Sequence, residues 1–187
     1  MKEILFNEKQ IDEIITKLAS KINKDYENCE DIPVLICVLK GAAPFMHDLI
    51  KKLNFPMKLD YIQLSSYNGT SSTGVIHLKK DVSENITNKR VIIVEDIIDT
   101  GTTLNYLKDY LNIKYKPKEI KLCCLIYKIP ARKVKLDADY VGYYLNESKF
   151  LVGYGFDYNE LFREVPYIFV PDNEDLNKWD ELLKKNN

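Results

Sequence analysis

The chain is predicted to fold as an α/β protein: an open, mainly parallel sheet with helices on both faces and a small hood lobe over one edge. Three observations carry this. Val34 to Leu39 and Val91 to Val94 are short, unbroken apolar runs, the pattern of strands buried on both faces. Each is followed by a glycine-containing polar break and then by apolar residues at helical spacing. This strand–helix alternation is the signature of parallel sheets flanked by helices. At 187 residues, 45% hydrophobic and 29% charged, the chain reads as one ordinary globular domain. Its core is predicted over about residues 33–130, with the hood built from about 1–20 and 140–187.

Asn7 is placed to cap a helix in which Ile11, Ile14, Ile15, Leu18 and Ile22 repeat every 3.6 residues. The polar patch Asn23 to Asp31 ends it. The strand Val34 to Leu39 stops at Lys40-Gly41-Ala42, and a helix runs from about Pro44, a good first-turn residue, to Leu53. Met57 to Ser65 is a third strand, with Leu59, Tyr61 and Gln63 on one face. Ser66 to Gly74 (SYNGTSSTG) is too poor in apolar groups to hold itself down, and Val75 to Leu78 returns as a hairpin partner. Glu119 to Tyr127 is a strand that ends at Lys128. Asp139 to Leu145 and Lys149 to Tyr154 read as short aromatic strands, followed by Tyr167 to Val170. Asp172 or Asn173 caps a last helix carrying Leu176, Trp179 and Leu182.

The central stretch is Val91 to Leu104, VIIVEDIIDTGTTL. Two carboxylates, Glu95 and Asp96, follow the apolar run. After Ile97 and Ile98 comes Asp99-Thr100-Gly101-Thr102-Thr103, and then a helix with Leu104, Leu107 and Leu111 on one face. Strand, tight polar loop and helix make an anion-binding geometry, because backbone N–H groups and the positive helix end converge there. Acids beside such a cradle suit a ligand with a phosphate at one end and free sugar hydroxyls nearby, and a bound Mg²⁺ would ease the repulsion. A Walker A loop would need a Gly-Lys-Ser/Thr ending, and a dinucleotide fingerprint three spaced glycines; neither is present.

The acid-acid-x-x-Asp-Thr-Gly stretch closely resembles the phosphoribosyl diphosphate signature of the type I phosphoribosyltransferases. Leu39-Lys40-Gly41, Ser66-Tyr67, Lys128, and Phe150-Leu151-Val152-Gly153-Tyr154 through Arg163 extend the resemblance to the hypoxanthine-guanine branch over roughly residues 34–170. Two departures are Ala42, where many members carry a second glycine, and Leu151, where valine is common. The resemblance implies transfer of a phosphoribosyl group from phosphoribosyl diphosphate to a 6-oxopurine, with Mg²⁺ as cofactor. It implies that Asp99, Thr100, Gly101, Thr102 and Thr103 bind the 5′-phosphate, with Asp99 also accepting a proton from the purine. Glu95 and Asp96 would hold the ribose hydroxyls and help place Mg²⁺. Lys40, Gly41 and Arg163 would bind the pyrophosphate group. Lys128, Phe150, Leu151 and Asp157 would select the purine, Asp157 also serving a second Mg²⁺, and Ser66 and Tyr67 would open a mobile lid. A homodimer or homotetramer is implied.

Xanthine-guanine specificity stays open at this point. The Lys128 and Phe150-to-Arg163 features argue against adenine and orotate. A non-catalytic regulator that binds nucleic acid on the same fold is the reading from a different class. The net charge of −1 offers it no obvious basic surface, so no nucleic-acid partner is expected. No apolar run reaches a membrane span, and MKEILFNEKQ lacks a signal-peptide core, so no membrane partner is expected either. Cys29, Cys37, Cys123 and Cys124 read as reduced thiols of a cytoplasmic protein.

Overall fold

The computed structural model describes residues 3–66, 76–131, 133, 134 and 136–186. Six strands form the large sheet: β2 (Val34–Leu39), β3 (Lys58–Ser66), β4 (Ile76–Lys80), β5 (Arg90–Ile98), β6 (Glu119–Lys128) and β7 (Tyr140–Leu145). Their order is β4-β3-β2-β5-β6-β7. All neighbours run parallel except the β3–β4 hairpin. Chain order reverses between β2 and β5, and the crevice at such a switch point, outside the strand C-termini, is where open α/β sheets take ligands.

Alternation along the central strands splits the core in two. Leu35, Cys37, Ile92, Val94, Cys123 and Leu125 face α1 (Glu8–Tyr26) and α2 (Ala43–Ile50). Val34, Ile36, Val91, Ile93, Leu122 and Cys124 face α3 (Thr102–Tyr115), which buries Leu104, Leu107 and Leu111. Cys123 and Cys124 thus lie on opposite faces, as neighbours on a strand must. Cys29, Cys37 and Cys123 are free thiols. Asn7 caps α1 through a reciprocal box: its Oδ1 accepts from the Gln10 N–H, and the Gln10 Oε1 accepts from the Asn7 N–H. Asp172 does the same for α4 (Asn173–Asn186), accepting from the Asp175 N–H at 2.9 Å.

Several elements depart from the sequence reading. β1 (Glu3–Phe6) was not expected; it pairs antiparallel with β8 (Ile168–Val170) as a separate two-stranded sheet. Its four residues carry no turn signal to mark them. α2 stops at Ile50 rather than Leu53, because the Asn23 side chain takes the Lys52 carbonyl and the Asn54 N–H. Lys149 to Tyr154 is not a strand. Gly153, Tyr154 and Gly155 all have positive φ, and the segment makes two isolated bridges, Val152 to Phe169 and Gly153 to Phe156. Two parts assigned to the hood belong to the main body: β7 is the sixth strand of the large sheet, and α1 packs on it. A third apolar cluster of Val152, Phe169 and Trp179 anchors the C-terminal segment.

Candidate active site

β5 continues past its apolar run. It pairs with β6 through Glu95↔Cys124, Ile97↔Ile126 and Ile98↔Tyr127, whereas its ladder with β2 ends at Cys37↔Val94. The two carboxylates are therefore held by the strand itself, not by the loop after it. Glu95, Asp96, Asp99, Thr100, Gly101 and Thr103 line one cavity of about 200 Å³. Glu95 accepts the Asp96 N–H at 3.1 Å, and Asp96 accepts the Ile97 N–H at 2.7 Å. Among the described residues neither acid forms an ion pair; Arg163 is the cation whose field reaches Asp96. Burial, and then the neighbouring charge of Asp96, push the Glu95 carboxyl well above the usual carboxylate range. Burial also raises Asp96. Such a pair calls for hydroxyl donors or a cation.

The loop after β5 has the anion-cradle form. Gly101 sits at φ +81° as the residue before α3, with no side chain capping the helix. Beyond the Thr102 N–H, which Thr100 takes, the N–H groups of the first turn of α3 are thus left to a ligand. The Thr100 hydroxyl accepts the Thr102 N–H and lies 3.3 Å from the Thr102 hydroxyl. The Thr100 carbonyl takes the Lys133 N–H at 3.0 Å, tying the loop to the segment after β6. Lys128, the last residue of β6, is buried, and its Nζ stands 3.6 Å from Asp99 Oδ2.

Opposite β5, the break after β2 begins with a cis Leu39–Lys40 peptide. Gly41 follows, and a Cβ there would meet Asp96 Oδ2 at 1.9 Å, so only glycine admits this approach. A second glycine closes the stack: a Cβ on Gly155 (φ +97°) would lie 2.1 Å from the Gly41 carbonyl. Arg163 donates to the Gly155 carbonyl at 2.7 Å and pairs with Asp157 at 2.9 Å and Glu160 at 3.3 Å. Glu160 also accepts from Lys40 Nζ at 2.8 Å. Lys40, Gly41, Asp157 and Arg163 are therefore brought together beside Asp96.

Phe150 is 51% exposed and touches Tyr158 edge-on at 6.1 Å; it is not a core residue. Leu151, next to it, is buried. Ser66 ends β3, while Tyr67 and the rest of the expected lid up to Gly74 lie outside the described residues. A larger cavity of about 530 Å³ shares Arg163 but none of the acids or loop residues of β5. Sequence reasoning missed Gly155 and Glu160. The doubled glycine of Gly153-Tyr154-Gly155 was a usable signal; nothing in the sequence marked Glu160.

For a divalent cation, Glu95 and Asp96 fit: they are hard oxygen donors whose mutual repulsion no lysine or arginine among the described residues relieves by direct pairing. Asp157 fits with its remaining lone pairs, since one oxygen is held by Arg163 and the other by the Glu160 N–H. The described residues hold no closed cage of three or more His, Cys, Asp or Glu ligands. Mg²⁺ commonly takes one or two carboxylates and completes its shell with phosphate oxygens and water.

The model of the phosphoribosyl transferase domain matches residues 2–159. The chain belongs to the phosphoribosyl transferase family. The hypoxanthine-guanine phosphoribosyltransferase of Streptococcus pyogenes is 43% identical over 175 residues, 93% of this chain and 95% of the relative. A hypoxanthine phosphoribosyltransferase structure from Staphylococcus aureus superposes with a TM-score of 0.86 at 39% identity, covering 93% of each chain. A Trypanosoma cruzi hypoxanthine phosphoribosyltransferase reaches a TM-score of 0.87 at 34% identity, covering 96% of this chain and 95% of its own. Phe150, Leu151 and Asp157 fall inside the family match, whereas Glu160 and Arg163 lie beyond its end.

Proposed function

We propose that this cleft moves the 5-phosphoribosyl group of phosphoribosyl diphosphate onto N9 of hypoxanthine and guanine, releasing pyrophosphate and forming IMP or GMP. The chain is thus a purine-salvage glycosyltransferase. The observation that carries the choice of base is the buried ammonium of Lys128, 3.6 Å from Asp99 at the adjoining strand end. A cation there donates to the oxygen at purine C6 and offers nothing to the amino group of adenine.

The remaining roles belong to the same proposal. The 5′-phosphate binds the Asp99–Thr103 loop, where Gly101 as the N-cap residue offers no side chain to the first turn of α3. Glu95 and Asp96 accept the ribose hydroxyls. Lys40, the Gly41 N–H and Arg163 take the pyrophosphate group, Arg163 through its planar fork of donors. Phe150, half exposed, offers a ring face to the purine, and backbone groups at Leu151 and Asp157 meet the guanine amino group. As N9 attacks, positive charge builds on the base and Asp99 accepts the proton from N7. Mg²⁺ held by Glu95, Asp96 and Asp157 would neutralise charge on the departing pyrophosphate. The free thiols of Cys29, Cys37 and Cys123 support a cytoplasmic location, and our reading is that the protein works as a homodimer or homotetramer. In the Trypanosoma cruzi relative, the C-terminal region has been examined for its role in oligomeric state and activity.

The test is turnover with phosphoribosyl diphosphate, Mg²⁺ and each of hypoxanthine, guanine, xanthine, adenine and orotate. Hypoxanthine and guanine are expected to react. Turnover of adenine or orotate in their place would remove Lys128 as the selector, and a preference for xanthine would redefine the enzyme.

A further inference from the structure

Glu160 is the one acid of the C-terminal segment that touches both proposed pyrophosphate cations. Its Oε2 lies 2.8 Å from Lys40 Nζ and 3.3 Å from Arg163 Nη2. The backbone that places it is unusual: Asn159 and Glu160 have φ of +48° and +69°, and Phe162 follows at +72°. Three non-glycine residues at positive φ within four positions cost conformational energy that the surrounding contacts must offset. Part of what holds the turn is the Glu160 N–H, donated to Asp157 Oδ2 at 2.8 Å. Asp157 in turn pairs with Arg163, so backbone and side chain of Glu160 both close on the same guanidinium. Asp157 already gives Arg163 a counter-charge. The Glu160 carboxylate is therefore surplus to pairing Arg163, and its shorter contact is with Lys40, 120 residues away.

We infer that Glu160 is a positioning residue that stands in for the pyrophosphate group, holding Lys40 and Arg163 at the spacing of a bridging anion and yielding both when pyrophosphate binds. This rests on the assignment of Lys40 and Arg163 to pyrophosphate given above. The Lys40 and Glu160 side chains are 55% and 61% exposed, so the pair is solvated and readily exchanged for a more highly charged ligand. Glu160 thereby sets how tightly pyrophosphate is kept. A carboxylate that rebinds both cations as the product leaves opposes its retention.

The experiment measures inorganic pyrophosphate binding by titration calorimetry, with Mg²⁺ present, at two salt concentrations, together with steady-state constants for both substrates. For Glu160→Gln the pyrophosphate Kd and the KM for phosphoribosyl diphosphate are expected to fall about three- to tenfold. The salt dependence of pyrophosphate binding should steepen, while the KM for hypoxanthine stays unchanged. Glu160→Asn, which accepts positive φ more easily, should give the same shift. A merely structural role would change the melting temperature without this split between substrates. Unchanged or weaker pyrophosphate binding in both variants overturns the inference while leaving the cation assignment standing. Wild-type binding of pyrophosphate that persists undiminished in Lys40→Ala overturns that assignment, and the inference with it.

Discussion

Glu95 and Asp96 reach the cleft from the end of a regular strand, whereas Asp157 and Glu160 reach it from a turn with repeated positive φ. The first pair is partly buried, bonded to its own backbone, and raised in pKa by burial. The second is met by Lys40 and Arg163, and the Lys40 hydrogen bond holds the Glu160 carboxyl below the usual range. One pair is short of positive charge and the other is supplied with it. Acids of the same kind therefore become different tools: the strand pair is open to hydroxyls and a divalent cation, and the turn pair organises the cations that meet a phosphate.

The contrast is sharpest at Asp99, just beyond the strand pair. Asp99→Asn keeps size and an acceptor oxygen but loses the basic charge. kcat is expected to fall roughly 10²–10⁴-fold while phosphoribosyl diphosphate binding persists. Turnover within a factor of a few of wild type would make Asp99 a loop-shaping residue only. On the other side, Gly155→Ala would force a Cβ to 2.1 Å from the Gly41 carbonyl at φ +97°. Urea unfolding should show a loss of about 2–4 kcal/mol. No loss would mean that the turn and the Gly41 break are not in fact stacked.

Lys128 stands beside Asp99 from the adjoining strand end. Its removal in Lys128→Ala should cost ~2–3 kcal/mol in kcat/KM for 6-oxopurines, as for a lost charged hydrogen bond. The KM for phosphoribosyl diphosphate should barely move, and unchanged hypoxanthine kinetics would take Lys128 out of the pocket. The smallest effect is on stability. A carboxyl whose pKa rises on folding binds its proton more tightly in the native state. Stability therefore falls as pH climbs from the ordinary glutamate range through the raised value, and the full penalty stands above it. Glu95→Gln removes that penalty. Its melting temperature should exceed that of the wild type at pH 8, by roughly 2–4 °C for each kcal/mol recovered. The gap should close towards pH 4 in scanning calorimetry. A lower melting temperature at pH 8 would show that the ionised pair is not a burden.

The same contrast explains what was legible in the sequence. Strand β5 and helix α3 announce themselves because unbroken Val/Ile runs and leucines at helical spacing are local signals, and the threonine-glycine loop sits between them. The extension of β5 through Glu95 and Asp96 was not legible, since ladder bonds to β6 continue there irrespective of side-chain polarity. The C-terminal segment looked like a strand because Phe150, Leu151, Val152 and Tyr154 are β-favouring residues. Its glycines, however, serve close approach to Gly41 and to the Tyr167 carbonyl, contacts that only the folded chain supplies. The exposure of Phe150 is likewise tertiary. By composition a phenylalanine beside three apolar residues belongs in a core.

The small β1–β8 sheet sets a timetable for the ribosome. Glu3 pairs with Val170 and Ile4 with Phe169, partners some 165 residues apart in the chain. At ordinary elongation rates β1 waits roughly ten to thirty seconds for its partner to be made. The large sheet can assemble meanwhile. The C-terminal segment bearing Phe150, Asp157 and Arg163 acquires its anchor only when Ile168 to Val170 arrive, so the cradle for the phosphate exists on the nascent chain before the purine side does.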